Sequence, residues 1–248
     1  MTLVPDSGSP LPAPALAALE RLGALRLGDQ SMQSVLQIVA DLAKSVLPGS
    51  PEVSICLLAN DRALTPVSTG DMALQLDEKQ FAKGDGPCLH AARTGELTEI
   101  RDTRSERRWP EYARAAAGHG NLSSLSVPLP IADDVAGALN IYAREPAAFD
   151  EESRFVATRF APYAGAVVGN AHAYRTAQEM AANLQVALES RAVIDQAKGI
   201  LIERYKITSD QAFQALAQVS MRSNTKVRDV AEQLVHTGVF DIRSSGMV

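Results

Sequence analysis

The chain has 248 residues and a net charge of −5, with 46% hydrophobic and 21% charged residues. That length can hold two modest domains with their own cores, and the composition is too apolar for extensive disorder. The acidic balance gives no global field for nucleic acid, so any such contact must come from a local patch. No apolar run reaches the roughly 18 residues of a membrane span. The N-terminal residues also lack a basic region followed by an apolar core and a small-residue cleavage site, so we expect a cytoplasmic protein with no membrane partner. Cys56 and Cys88 are the only cysteines and stand in different local contexts. They indicate neither a disulfide framework nor a metal site, and we read both as reduced thiols.

Residues 1–24 begin with Pro5, Gly8, Pro10, Pro12 and Pro14 and read as a mobile N-terminal tail. Ser31 can cap a helix with Val35, Ile38, Val39, Leu42 and Val46 on one face, stopped by Pro48-Gly49-Ser50-Pro51. Val53–Leu58 and Ala63–Thr69, separated by Asn60-Asp61, form a hairpin pattern. A helix around Pro87–Arg93 precedes a strand at Leu97–Ile100, and a further helix spans Pro110 to about Gly118. Leu122–Ile131 and Val135–Tyr142, joined through Asp133-Asp134, give the clearest hairpin, with Pro128 and Pro130 placing part of it at an edge or bulge. Hairpins with flanking helices indicate an α+β domain built on an antiparallel sheet.

From Asp150 to about Tyr205 the pattern is helical, interrupted only by Pro162. A helix so long is expected to link two modules. Val167, Asn170, Tyr174, Ala177, Ala181, Leu184 and Leu188 alternate spacings of three and four, as a coiled-coil seam requires, and point to a parallel homodimer. The alternative is that this stripe packs only on its own domain.

Further on, Ile194, Ala197, Leu201 and Tyr205 share one helical face, and Arg191, Asp195, Lys198 and Ile202 line its neighbour. Thr208 and Gln211 have the spacing of a capping box that opens a second helix with Phe213, Leu216, Ala217 and Val219. Ser223-Asn224 offers a turn and cap before a third, with Val227, Val230, Ala231, Leu234 and Val235. Three such helices bury a common core only by packing together. Gly199 within the first costs about 1 kcal/mol against alanine, which points to close approach by another backbone or a ligand. Arg191, Lys198, Arg204, Arg222, Lys226 and Arg228 supply donors for phosphates, and Tyr205 a stacking face. Seven Lys or Arg between Leu188 and Val235 face six Asp or Glu, so charge alone does not predict RNA. Asp195 either neutralises Arg191 and Lys198 or orients them.

The pieces Arg191–Leu201, Asp210–Leu216, Ser220, Asn224 and Asp229–Ala231 resemble the antiterminator domain known as ANTAR over about Leu188–Val235. The resemblance implies a dimer that binds paired RNA hairpins in nascent transcripts and, indirectly, acts on the RNA polymerase elongation complex. The candidate RNA contacts are Arg191, Asp195, Gln196, Lys198, Gly199, Arg204, Tyr205, Ser220, Arg222, Asn224 and Lys226, although Ser220 and Asn224 fit capping or turn roles as well.

Leu76–Gln80, Gly84–His90, Arg93–Glu96, Arg108–Pro110, Ser126–Leu129, Gly137–Tyr142 and Phe149–Glu151 resemble a GAF domain over about 25–172. The pairing looks like antitermination regulators of the actinobacterial type. It implies a sensory sheet with helices on one side and a pocket on the other. The expected organisation is a tail (1–24), a GAF domain (25–172), a coiled-coil linker (173–189), an ANTAR domain (190–240) and a C-terminal tail (241–248).

Cys88 follows a tight loop at a helix N-terminus that can lower a thiol pKa, which makes it a candidate redox or ligand contact; the alternative is a buried inert thiol. Trp109 is a candidate pocket floor or a packing residue. Asn140 faintly matches a cyclic-nucleotide signature of some GAF domains, but Ile141 stands where that signature has lysine, so no cyclic nucleotide is expected. No cofactor is expected, and any small-molecule ligand of the GAF domain is unknown. The leading reading is therefore a non-enzymatic, signal-responsive RNA-binding regulator. The alternatives are a protein-interaction module without RNA binding, or a thiol-dependent reductase with Cys88 as nucleophile, for which the sequence shows no resolving cysteine nearby.

Overall fold

Period-two patterning gives the N-terminal unit two differently furnished sheet faces. The computed structural model describes residues 10–59, 62–132 and 135–240. The turns at Asn60-Asp61 and Asp133-Asp134, tail residues Pro5 and Gly8, and the tail 241–248 lie outside them. The chain divides into two compact units, Met1–Arg175 and Thr176–Val248.

The first unit carries β1 (Glu52–Ala59), β2 (Arg62–Ser68), β3 (Thr98–Ile100), β4 (Ser123–Ala132) and β5 (Val135–Ala143). They form one antiparallel sheet of order β2-β1-β5-β4-β3. Its helices are α1 (Ala13–Gly23), α2 (Met32–Val46), α3 (Asp71–Lys83), α4 (Pro87–Thr94) and α5 (Pro110–Gly118), followed by the start of α6 (Glu151–Tyr205).

Val53, Ile55, Leu125, Val127, Leu129, Leu139 and Ile141 share a fully buried apolar cluster with Leu22, Leu36, Val39, Phe160, Ala164 and Val168 from α1, α2 and α6. Burying each large aliphatic side chain is worth about 1.5–3 kcal/mol, so this layer anchors the unit. The alternate strand positions, among them Ser54, Cys56, Ser124, Ser126, Ala138, Asn140 and Tyr142, are also buried. Here Tyr142 clusters with Met72 and Leu76 of α3 and Tyr112 of α5. Cys56 and Ala138 cluster with Cys88 and Leu89 of α4.

Ser31 accepts from the Ser34 N–H at 3.0 Å and starts α2 as its position predicts. Two helices depart from the sequence reading. The tail expected over 1–24 contains α1, because Pro14 falls in the first turn, where a missing N–H costs nothing, and Ala15, Ala18 and Leu22 bury one face. The other is α3, for which no helix was expected; it starts after Gly70 and ends at the left-handed Gly84. β3 pairs only with Ser124–Ser126, so Pro128 and Pro130 lie beyond its end, with a register shift after Pro130, in keeping with the expected edge or bulge. There α6 passes over the strand: a Cβ on Gly165 would lie 2.6 Å from the Pro130 carbonyl oxygen, and one on Gly169 would collide with that of Ile131.

In the second unit, Ala197 and Leu201 of α6 pack with Ala212, Ala215 and Leu216 of α7 (Ser209–Ser223) and Val230, Ala231 and Leu234 of α8 (Val227–Thr237). The expected capping box forms: Thr208 Oγ1 accepts from Gln211 N–H at 3.2 Å, and Gln211 Oε1 accepts from Thr208 N–H at 2.9 Å.

Candidate functional site

The C-terminal unit presents the charged stripe on α6. Lys198 Nζ donates to Asp195 Oδ1 at 3.0 Å, and Arg191 Nε lies 3.7 Å from Asp195 Oδ2. The Lys198 hydrogen bond, then the charges of Lys198 and Arg191, hold the Asp195 carboxyl below its usual range. The lysine side chain is only 22% exposed and the arginine 82%, so Asp195 steadies the lysine while Arg191 reaches into solvent. Both spacings, three and four, follow from the helix pitch.

Gly199 faces open space rather than a neighbouring helix: a Cβ there would meet nothing within 4 Å. Of the two expected approaches, by another backbone or by a ligand, no described backbone of this chain makes the first. The glycine instead floors a shallow groove with Gln196, Ile200, Glu203, Arg204 and Val235, because the packed face of α6 turns Ala197 and Leu201 inward and leaves 196, 199 and 203 outside.

Other candidates are held by structural bonds. Arg204 Nη1 donates to the Gly238 carbonyl at 2.7 Å, tying α6 to the end of α8. The Tyr205 hydroxyl donates to the Phe240 carbonyl at 3.5 Å and its ring is part-buried, so it is not a free stacking face. Ser220 Oγ donates to the Thr225 carbonyl at 2.5 Å. Asn224 ends α7 in the left-handed conformation, with φ of 51°, and Lys226 occupies the N-cap of α8, a correction to the expected N-cap role of Ser223-Asn224. Arg222 is exposed in the last turn of α7. Arg228 pairs with Glu232 at 2.8 Å.

Of the seam positions, Val167 packs against the core of its own unit. Tyr174, Leu184 and Leu188 are 42%, 60% and 56% exposed, and Ala177 and Ala181 are exposed too.

In the N-terminal unit the second face of the sheet holds a buried polar network that the sequence reading missed. Asp77 Oδ2 accepts from Ser54 Oγ and Thr65 Oγ1, each at 2.6 Å. Its Oδ1 accepts from Asn140 Nδ2 at 3.3 Å and from the Tyr142 hydroxyl. Burial raises the Asp77 pKa from 3.8 to about 6, against the pull of those four donors. The Tyr112 hydroxyl sits beside Ser124 and Asn121 but makes no aligned bond, and the Ser124 hydroxyl and Asn140 Oδ1 are likewise without one. The signal available was the polar half of the strand alternation, Ser54, Ser124, Ser126 and Asn140, which resembles a solvent face until α3, α4 and α5 cover it.

Cys88 and Cys56 come together in this interior, both fully buried, which corrects the expectation of separate contexts and of no second cysteine nearby. Burial pushes the Cys88 thiol well up, and the hydrogen bond with Cys56 and the charge of Asp77 add to it. The Leu89 backbone N–H at the helix N-terminus pulls the other way and is outweighed, and a protonated buried thiol is a poor nucleophile. The Cys88 N–H donates to Gln80 Oε1 at 2.8 Å. Trp109 Nε1 donates to Asp85 Oδ1 at 3.0 Å, and the ring lies under the Arg108 guanidinium, 4.7 Å away, and beside His90. It packs against the Tyr112–Tyr142 cluster, closing the loop before α4 over the sheet. Among the described residues no helix is long and apolar enough to cross a membrane.

Family models match in two places: GAF domain over residues 29–168 and ANTAR domain over residues 182–235. No curated protein matches the chain. Among solved structures, a domain described as part of a two-component sensor histidine kinase protein from Sinorhizobium meliloti 1021 is similar at 14% identity and a TM-score of 0.50, covering 60% of this chain and 99% of that one. The bacteriophytochrome RpBphP3 from R. palustris is similar at 14% identity and a TM-score of 0.50, over 82% of this chain and 45% of that one. At these identities the likeness speaks to the fold alone.

Proposed function

Because this chain belongs to the GAF domain family and carries a C-terminal ANTAR domain, a module of RNA-binding antitermination regulation, we propose that it is a signal-responsive regulator that grips paired RNA hairpins as a homodimer. The hairpins lie in nascent transcripts, in the cytoplasm, and the RNA polymerase elongation complex is affected indirectly.

The observation that carries this reading is the Arg191–Asp195–Lys198 stripe of α6 beside the open groove at Gly199. A phosphate can replace Asp195 as the partner of either cation, and counterion release then makes binding salt-sensitive. The groove lets an RNA backbone or base edge approach where any side chain would stand in the way. Arg222 and Lys226, exposed around the α7–α8 turn, extend the basic surface, whereas Arg204 and Tyr205 support the fold.

Dimerisation is supported by the middle of α6. Ala177, Ala181, Leu184 and Leu188 are exposed within one chain, the two leucines at 60% and 56%, and apolar positions at three-four spacing on an uncovered helix favour a partner helix. Sensing falls to the first unit, with α6 as the covalent route from its core to the RNA-binding surface. Deep burial of both thiols, and the upward push that burial gives the Cys88 thiol, favour this regulatory role over thiol-dependent reduction.

The test is hairpin binding by Arg191→Ala and Lys198→Ala in the full chain. Each loses about one phosphate contact, so affinity is expected to fall and the salt slope to flatten by about 1, with helical content unchanged by circular dichroism. Unaltered affinity in both variants removes this assignment.

A further inference from the structure

The N-terminal unit has a second concavity, away from the buried polar network. It is a cavity of 460 Å³ at the end of the sheet where β3 stops short, bounded by Leu97, Pro128, Pro130 and Ala136 and, on α6, by Thr158 and Pro162. That volume lies within the range of small-molecule sites, about 300–1,000 Å³. Among the described residues its lining has no charged side chain and a single polar one, Thr158.

The backbone chemistry of this wall is lopsided. Pro128, Pro130 and Pro162 have no N–H, so the wall is short of donors and keeps its carbonyl acceptors. In α6 the residue that should donate to the Thr158 carbonyl is residue 162, four positions on, and it is proline. The Thr158 carbonyl therefore lacks its helical N–H partner, and both residues that create the vacancy line the cavity. On the far side Gly165 and Gly169 bring α6 against the Pro130 and Ile131 carbonyls, which fixes the helix wall relative to the strand wall.

We propose that this cavity binds a neutral, apolar small molecule carrying one hydrogen-bond donor, a hydroxyl or N–H directed at the Thr158 carbonyl. An anion meets acceptors and, among the described residues, no cation here, and a purely apolar compound that displaces water leaves the carbonyl without a donor. The assignment gives the sensory reading of this unit a site on α6 itself. Binding is measured without RNA, so its failure leaves RNA recognition standing.

The test uses the full chain and two fluorescent probes of nearly equal shape, 2-naphthol, which has a donor, and 2-methoxynaphthalene, which does not. Saturable 2-naphthol binding is expected, about two- to tenfold tighter than that of the ether, the worth of one net hydrogen bond. Leu97→Trp, which fills the half-exposed rim, is expected to weaken both probes at least tenfold. Pro162→Ala returns an N–H to the Thr158 carbonyl and is expected to abolish the preference while the ether still binds. Absence of saturable 2-naphthol binding overturns the proposal, as does binding indifferent to Leu97→Trp. A preference that survives Pro162→Ala overturns the carbonyl as its source.

Discussion

Replacing Asp77 by asparagine should change how the stability of the N-terminal unit depends on pH, by an amount the structure sets. Asp77 is fully buried with no cation beside it among its bonded partners, and burial raises its pKa from 3.8 to about 6. The folded state therefore binds its proton more tightly than the unfolded state does. The stabilisation is complete below pH 3.8 and is lost as pH rises through about 6. Some two pKa units at 1.36 kcal/mol each give about 3 kcal/mol across that window. Asparagine does not titrate, and at pH 4 the unfolded carboxyl is already half ionised, so the difference between wild type and Asp77→Asn should move by about 2 kcal/mol against the wild type between pH 4 and pH 7. Trp109 is the only tryptophan and lies in this unit, so its fluorescence during urea unfolding reports the right transition. A difference that stays flat over that range refutes the raised pKa and makes Asp77 a permanently ionised hub held by its four donors.

Gly165→Leu forces a side chain against the Pro130 carbonyl, 2.6 Å from where its Cβ must sit, and should cost about 1–3 kcal/mol in the same unfolding assay; a neutral result means that α6 can lift off the strand. Cys56 and Cys88, both buried, should resist a thiol reagent in the native protein and react on unfolding, and fast native labelling would contradict the packed interior. Leu184→Glu combined with Leu188→Glu should give a monomer by light scattering, whereas a dimer of undiminished strength would place the seam elsewhere.

Local chemistry carried most of the architecture into the sequence. The Ser31 cap, the Thr208–Gln211 box and the four long strands are set by neighbours a few residues apart, and each is where its pattern puts it. What depended on tertiary cover was hidden. The alternation Ser124-Leu125-Ser126-Val127 reads as a sheet with one wet face, yet helices α3, α4 and α5 bury the serines. Cys56 and Cys88 are 32 residues apart in the chain and meet only because α4 lies on β1 and β5. The N-terminal helix was masked by prolines, whose breaking effect vanishes in a first turn. At the RNA surface the charged stripe was legible from helical periodicity, but the bonds that occupy Arg204, Tyr205 and Ser220 come from residues brought near by the turns between helices.

Recognition of paired hairpins by a dimer is tested by titrating the full chain against a two-hairpin RNA and a single-hairpin control at two salt concentrations, with mass determined in parallel. A dimer that prefers the paired hairpins and loses affinity as salt rises is the expected result. A protein that binds neither RNA, or both alike and without salt dependence, contradicts it.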